Sequence, residues 1–266
     1  MVVVQTAEPE LYALAPSWAT IRRFSQAFPV VKFLVLALFY GDYPELAQRC
    51  GTSLRLLWNT GRVDMRIGLN EVAPRVRQML QRLLPGVDMV AADPQIYKNP
   101  MLRRLAFEYR GDATHMMWFD DDSCLLPGTD VPGWLRAVTR RAATAQGSLG
   151  SLYTQPLTAA HKDWIRAQPW YTGREIPDQL LFSNGGWRVL PLALMRKFDW
   201  PPPELAHAGG DLSLGALLQQ QGLLPEAFRM GLAIGADLQL RESAAPRRGV
   251  TESGQAAWRD IWAPQK

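Results

Sequence analysis

Asp120-Asp121-Asp122 stands directly after the apolar run His115-Met-Met-Trp-Phe119. Three consecutive carboxylates repel one another unless a cation sits among them. Hard divalent cations take oxygen ligands, commonly one or two carboxylates plus the phosphates of a substrate. One reading is therefore a metal and diphosphate site holding Mn or Mg. The other is a solvated acidic turn or a helix N-cap, since Asp is favoured at both. A further carboxylate, Asp211, precedes the apolar helical stretch Leu212 to Gln221, where an N-cap is a sufficient local explanation. His115, His161 and His207 are scattered. The two cysteines, Cys50 and Cys124, lack CxxC spacing, which excludes a disulfide framework and a cysteine-rich zinc site.

The acidic cluster needs a strand to carry it, and the chain supplies a β-α-β-α rhythm. Val30 to Tyr40 reads as a strand apolar on both faces, stopped by Gly41-Asp42-Tyr43-Pro44. Such a strand belongs in a parallel or mixed sheet covered by helices. A helix over Glu45 to Trp58 and a strand near Asp64 to Leu69 follow. The next helix has apolar residues at Val72, Val76, Met79, Leu80, Leu83 and Leu84 and ends at Pro85-Gly86. Val87 to Ala91 is a third strand. A loop over Asp93 to Pro100, a helix over Met101 to Tyr109 and a fourth strand, His115 to Phe119, lead into the aspartates. The alternation predicts an α/β sandwich with a mainly parallel sheet. Asp120 then lies at a carboxyl strand end, where ligands of open α/β sheets bind. The predicted division is an N-terminal arm over 1–29, a first half over 30–123, a more irregular half over 124–240 and a basic, flexible tail over 241–266.

Composition narrows the class. With 266 residues, 47% hydrophobic and 20% charged, the chain has material for a sizeable core. Disordered, collagen-like and coiled-coil readings are disfavoured. The formal charge is +4, and 24 of the 29 basic residues are arginine. That balance is too weak by itself to prove a nucleic-acid partner. Val30 to Tyr40 runs 11 residues with Lys32 inside it, short of the roughly 20 needed to span a bilayer. The N-terminal residues lack the basic start and apolar stretch of a secretory signal. The expectation is a cytoplasmic protein without a transmembrane anchor.

Four segments in register carry a family resemblance. They are Trp118-Phe-Asp120-Asp-Asp122, the upstream Lys98-Asn-Pro-Met-Leu-Arg103-Arg104, the downstream Phe182-Ser-Asn-Gly185-Gly186-Trp187-Arg188, and Gly209-Gly-Asp211-Leu-Ser-Leu-Gly215 with its trailing Gly222. Together, over roughly residues 30 to 240, they resemble a GT-A glycosyltransferase of the family 2 kind. The resemblance implies a nucleotide-sugar half followed by an acceptor half, and transfer of a sugar to a hydroxyl with inversion at the anomeric carbon. It places Asp120 and Asp122 in the DxD motif, both as metal ligands, with Asp122 the direct ligand and Asp120 also near the donor. Arg103, Tyr40 and, in the tail, Arg248 are the other donor-side candidates. Gly185, Gly186, Trp187 and His207 are expected on the acceptor side. Asp211 is carried over as the base, while the Glu that usually precedes it is Gly210 here. A plain turn at Gly185-Gly186, a core role for Trp187 and a surface role for His207 are the structural alternatives. Gln255-Ala-Ala-Trp258-Arg259 reverses the last two residues of the motif of processive members, which implies a single transfer per event.

The donor expected is a nucleotide-sugar, UDP-linked. For the acceptor, the anchor-free, Arg-rich chain is similar to stand-alone phage-type enzymes that decorate hydroxymethylated bases in double-stranded DNA. Such a base must be reached in the major groove or flipped out. The alternatives are a lipid-linked or surface glycan as acceptor, or a nucleotide-sugar-binding module without catalysis.

Overall fold

The computed structural model describes residues 30–94, 96–206 and 209–234. The predicted arm, the tail with Arg248, and His207 lie outside them. Among the described residues no helix is long and apolar enough to cross a membrane.

Eight successive apolar residues, β1 (Phe33–Tyr40), have no polar face to turn to water, and every one of them is buried. Side chains alternate across a strand. Phe33, Val35, Ala37 and Phe39 therefore enter one apolar cluster, and Leu34, Leu36, Leu38 and Tyr40 enter the other. This central strand lies between β2 (Val63–Asn70) and β4 (His115–Asp120), both parallel to it, and β3 (Asp88–Ala92) continues the parallel half beyond β2. On the other side, β7 (Gln179–Pro191) runs antiparallel to β4 and to β6 (Leu149–Pro156), and β8 (Glu226–Ala227) pairs parallel with β6. The strand order is β3-β2-β1-β4-β7-β6-β8. A separate antiparallel pair joins β5 (Cys124–Leu125) to β9 (Leu232–Ala233). The chain is thus the expected α/β sandwich around a mostly parallel central sheet.

Helices cover both faces. α1 (Pro44–Trp58), α2 (Pro74–Leu83) and α4 (Val131–Ala142) bury Leu54, Leu80 and Trp134 on the first face. α3 (Lys98–Phe107), α5 (Ala159–Ala167), α6 (Leu192–Phe198) and α7 (Gly210–Gln220) bury Met101, Ile165, Met195 and Leu217 on the second. α1 and α2 start at proline, whose missing N–H has no intrahelical partner at that position. For the same reason α3 begins at Lys98 and carries Pro100 in its first turn, whereas the sequence reading ended the loop at Pro100. His161 serves locally. Thr158 and His161 form a reciprocal cap at the start of α5.

Candidate active site

Parallel pairing brings the carboxyl ends of the first strands into line. Tyr40 stands beside Asn70 at the ends of β1 and β2, and Leu38 pairs with Asp120 at the end of β4. Ser123 donates its backbone N–H to the Asp120 carbonyl, 2.9 Å, so the chain turns sharply after the strand. Tyr40 is almost wholly buried, and burial, reinforced by the Asp120 and Asp121 charges, pushes its hydroxyl well above the ordinary tyrosine range.

The cation that the acidic cluster demands is in part supplied by the chain itself. Lys98, in the first turn of α3, places Nζ 2.8 Å from Asp120 Oδ1 and 2.9 Å from Oδ2. The Trp118 indole N–H donates to Oδ1 at 2.8 Å, and the ammonium lies 5.5 Å from the Trp118 ring centre. Burial pushes the Asp120 carboxyl above its usual range. Lys98 pulls it back and Asp122 adds to the rise, leaving it raised.

The second carboxylate comes from α7. Gly209, at φ 84°, is the N-cap, and no side chain caps the helix. Asp211 is therefore not the cap that its position before an apolar helix suggested. It lies one residue inside, with its carboxylate turned toward the sheet. There the Arg188 guanidinium donates to its Oδ1, and the Gly185 N–H bonds to the carboxylate as well. Burial pushes the Asp211 carboxyl up, but Arg188 and Lys98 outweigh it and hold it below the usual range. The two carboxylates thus share one cation: Lys98 bonds Asp120 and acts electrostatically on Asp211. Beside Lys98, Asn99 is buried with its Oδ1 2.8 Å from where a Gly210 Cβ would stand. Asn99 thus fills the space that a side chain at 210 would need.

Gly185 and Gly186 are not a turn. They sit in β7 where the pairing with β6 is irregular, Ser151 alone facing Asn184 to Trp187. The extra residues form a bulge that pushes backbone toward Asp211. A Cβ on Gly185 would stand 2.7 and 2.8 Å from the two Asp211 oxygens; one on Gly186 would meet Ile234 at 2.8 Å and Ser123 Oγ at 3.2 Å. Asn184 Oδ1 accepts from the Gly186 N–H, and Ser123 Oγ donates to the Gly186 carbonyl, each 2.8 Å. The bulge is thereby tied to the turn that follows Asp120.

Two expected roles do not survive this geometry. Trp187 is 2% exposed and packs edge-on against Trp134 and Phe119. It points into the core on the face opposite Arg188, so it offers no ring to an acceptor. Arg103 donates to the carbonyls of Asp199 and Pro201 at 2.8 and 2.7 Å, pairs with the Asp199 carboxylate at 2.7 Å and lies over Phe107. It clamps the segment after α6. Five residues beyond Lys98, it lies about 140° around α3, away from Asp120.

The metal expectation divides the same way. Among the described residues no group of three His, Cys, Asp or Glu could hold an ion. Asp120 is already paired with the Lys98 ammonium and accepts from Trp118, so a metal ion would compete with Lys98 for that carboxylate. Asp122, half-buried in the turn, fits a site of one carboxylate completed by diphosphate oxygens.

No family model and no curated protein matches this chain. Solved structures overlap it. S. aureus TarS (residues 1-349) has a TM-score of 0.49 at 12% identity, covering 74% of this chain and 58% of that one. HddC from Yersinia pseudotuberculosis has 0.44 at 11%, covering 74% and 89%. The mannosyltransferase PcManGT from Pyrobaculum calidifontis, in complex with GDP-Man and Mn2+, has 0.48 at 12%, covering 92% and 66%. The chain thus spans little more than half of the TarS chain. Overlaps of this size are likenesses of chain path and carry no chemistry from one protein to another.

Lys98 and Arg188 are the site residues to which sequence reasoning gave no role. A signal for each was present. Three adjacent carboxylates require a nearby cation, and an arginine inside the apolar run Trp187-Arg-Val-Leu190 is out of place in a buried strand.

Proposed function

We propose that this protein is a nucleotide-sugar glycosyltransferase of the GT-A kind that moves a sugar to a hydroxyl by single displacement with inversion. The observation that carries this reading is the meeting of Asp120 and Asp211 around Lys98 at the carboxyl end of the parallel strands. In this reading Asp120 is the donor-side carboxylate and Asp211, held against the Gly185-Gly186 bulge, the acceptor-side one. The acceptor oxygen bonds to the anomeric carbon as the bond from that carbon to the diphosphate oxygen breaks. The diphosphate leaves with the electron pair, and the hydroxyl proton passes to the Asp211 carboxylate. Asp122 would hold a divalent cation that neutralises charge on the departing diphosphate. Lys98 keeps Asp120 compensated, and the bulge closes the acceptor side over Asp211. A binding module without catalysis would not need a second, ionised carboxylate on the acceptor side.

The test is transfer. The protein is incubated with Mn2+, a panel of UDP-, GDP- and CDP-sugars, and hydroxymethylated duplex DNA, unmodified duplex, or saccharide and lipid-linked acceptors, followed by mass analysis. A hydroxymethylated base is the acceptor we favour, on the resemblance to stand-alone phage-type enzymes together with an arginine-rich basic set, 24 of 29. A sugar-sized gain on that nucleoside alone is the expected result, lost in Asp122→Asn. Gain on a saccharide instead moves the acceptor. Donor binding by calorimetry without any transfer defeats the catalytic reading.

A further inference from the structure

Arg188 is 2% exposed in the middle of an apolar strand. In the register of β7 it stands opposite Trp118 of β4, so both side chains leave the same face of the sheet. That is the face of Asp120 and Lys98. Its Nη2 donates to Asp211 Oδ1, while Nε and Nη1, both buried, have no hydrogen-bond partner among the described residues. Its guanidinium carbon lies 5.6 Å from the centre of the Trp200 ring. A buried ion pair of this kind is weak support for a fold, and apolar residues of similar volume often replace one without loss of stability. Packing alone therefore does not account for a charge at 188.

We infer that Arg188 is a positioning residue that holds Asp211 in the orientation and the charge a proton acceptor needs. The inference rests on the proposed role of Asp211 and adds what that role requires. Arg188 bonds Oδ1, and Oδ2 has no guanidinium partner. The Gly185 N–H fixes the carboxylate from the bulge. The charges facing Asp211 are Arg188 from β7 and Lys98 from α3, and α7 carries no other ionisable residue. Both cations favour the ionised form; Arg188 is the one that bonds it. A carboxylate so held is a weaker base than a free one, but it is ionised and aimed before the acceptor arrives.

The first readout needs no substrate. Aspartate carboxyl carbons are followed by NMR through a pH titration, with the Asp211 signal assigned by its loss in Asp211→Asn. In the native protein it titrates below the ordinary range. In Arg188→Gln it moves up by about 1 to 3 pH units, the span expected for losing an adjacent Arg. Arg188→Lys, which keeps a charge there, keeps the low titration and also covers the case in which the Gln variant does not fold. The second readout is release of nucleoside diphosphate from whichever member of the sugar-nucleotide panel is turned over. Arg188→Gln should lower kcat at least tenfold with the donor KM within twofold. The acid limb of its pH profile should shift upward, and Arg188→Lys should recover at least a third of the turnover. In an Asp211→Asn background Arg188→Gln should cost nothing more.

An Asp211 signal that stays put in Arg188→Gln overturns the inference, as does an equal further loss in the Asp211→Asn background. A Lys variant as impaired as Asp211→Asn does the same. Full turnover in Asp211→Asn instead removes the base reading itself, while the NMR arm still reports whether Arg188 governs Asp211.

Discussion

Two adjacent side chains in β7 have opposite fates. Trp187 and Arg188 leave the strand on opposite faces, as any neighbours in a strand must. The one with the larger apolar area fills core, and the one with the charge underlies the candidate site. The burial of Trp187 among Trp134, Phe119 and Phe228 makes its indole a packing unit. Trp187→Ala should therefore destabilise the protein by about 3 to 5 kcal/mol, the cost of emptying a Trp-sized site. Urea unfolding measures this. Donor affinity of the fraction that remains folded, read by calorimetry, should be unchanged; a donor-binding or transfer defect in a fully stable variant would return Trp187 to the site.

At the scale of elements, the informative feature is the bulge of β7. A regular strand would carry 184–187 past α7 at ordinary spacing, but the extra residues bring backbone against the Asp211 carboxylate. A Cβ at 185 would force the Asp211 carboxylate or the Arg188 guanidinium to move. Gly185→Ala would place carbon 2.7 Å from Asp211 Oδ2, and Arg188 leaves the carboxylate little room to yield. The variant should fold, with an overpacking cost of about 1 to 3 kcal/mol by thermal unfolding. Its turnover should fall at least tenfold because Asp211 is displaced. Unaltered turnover would mean that the bulge does not set the carboxylate.

For the whole molecule, two apolar clusters are separated by one sheet whose strand β1 is bonded on both edges and covered on both faces. Opening β1 exposes both clusters at once. Hydrogen exchange should therefore find its amides from Phe33 to Tyr40 the slowest, near the global unfolding limit. The two-residue strands β5, β8 and β9 should exchange much sooner. Faster exchange in β1 than in β6 would contradict a core centred on the parallel half.

The sequence by itself determined the parallel half. A strand apolar on both faces, helices with apolar spacing and a run of aspartates after a strand are local patterns, and local patterns depend on a few neighbouring residues. The α/β class and the placement of Asp120 at a carboxyl strand end were legible for that reason. Tertiary structure alone decided which charges meet. Lys98 and Asp120 are 22 residues apart and Arg188 and Asp211 are 23 apart. Their pairing depends on α3 starting at Lys98, on the parity of β7 after its bulge and on α7 beginning before Asp211. A shift of one residue in any of these turns the side chain to another face. Periodicity reveals that a strand or helix exists, but its ends and bulges are set by the packing of the rest of the chain.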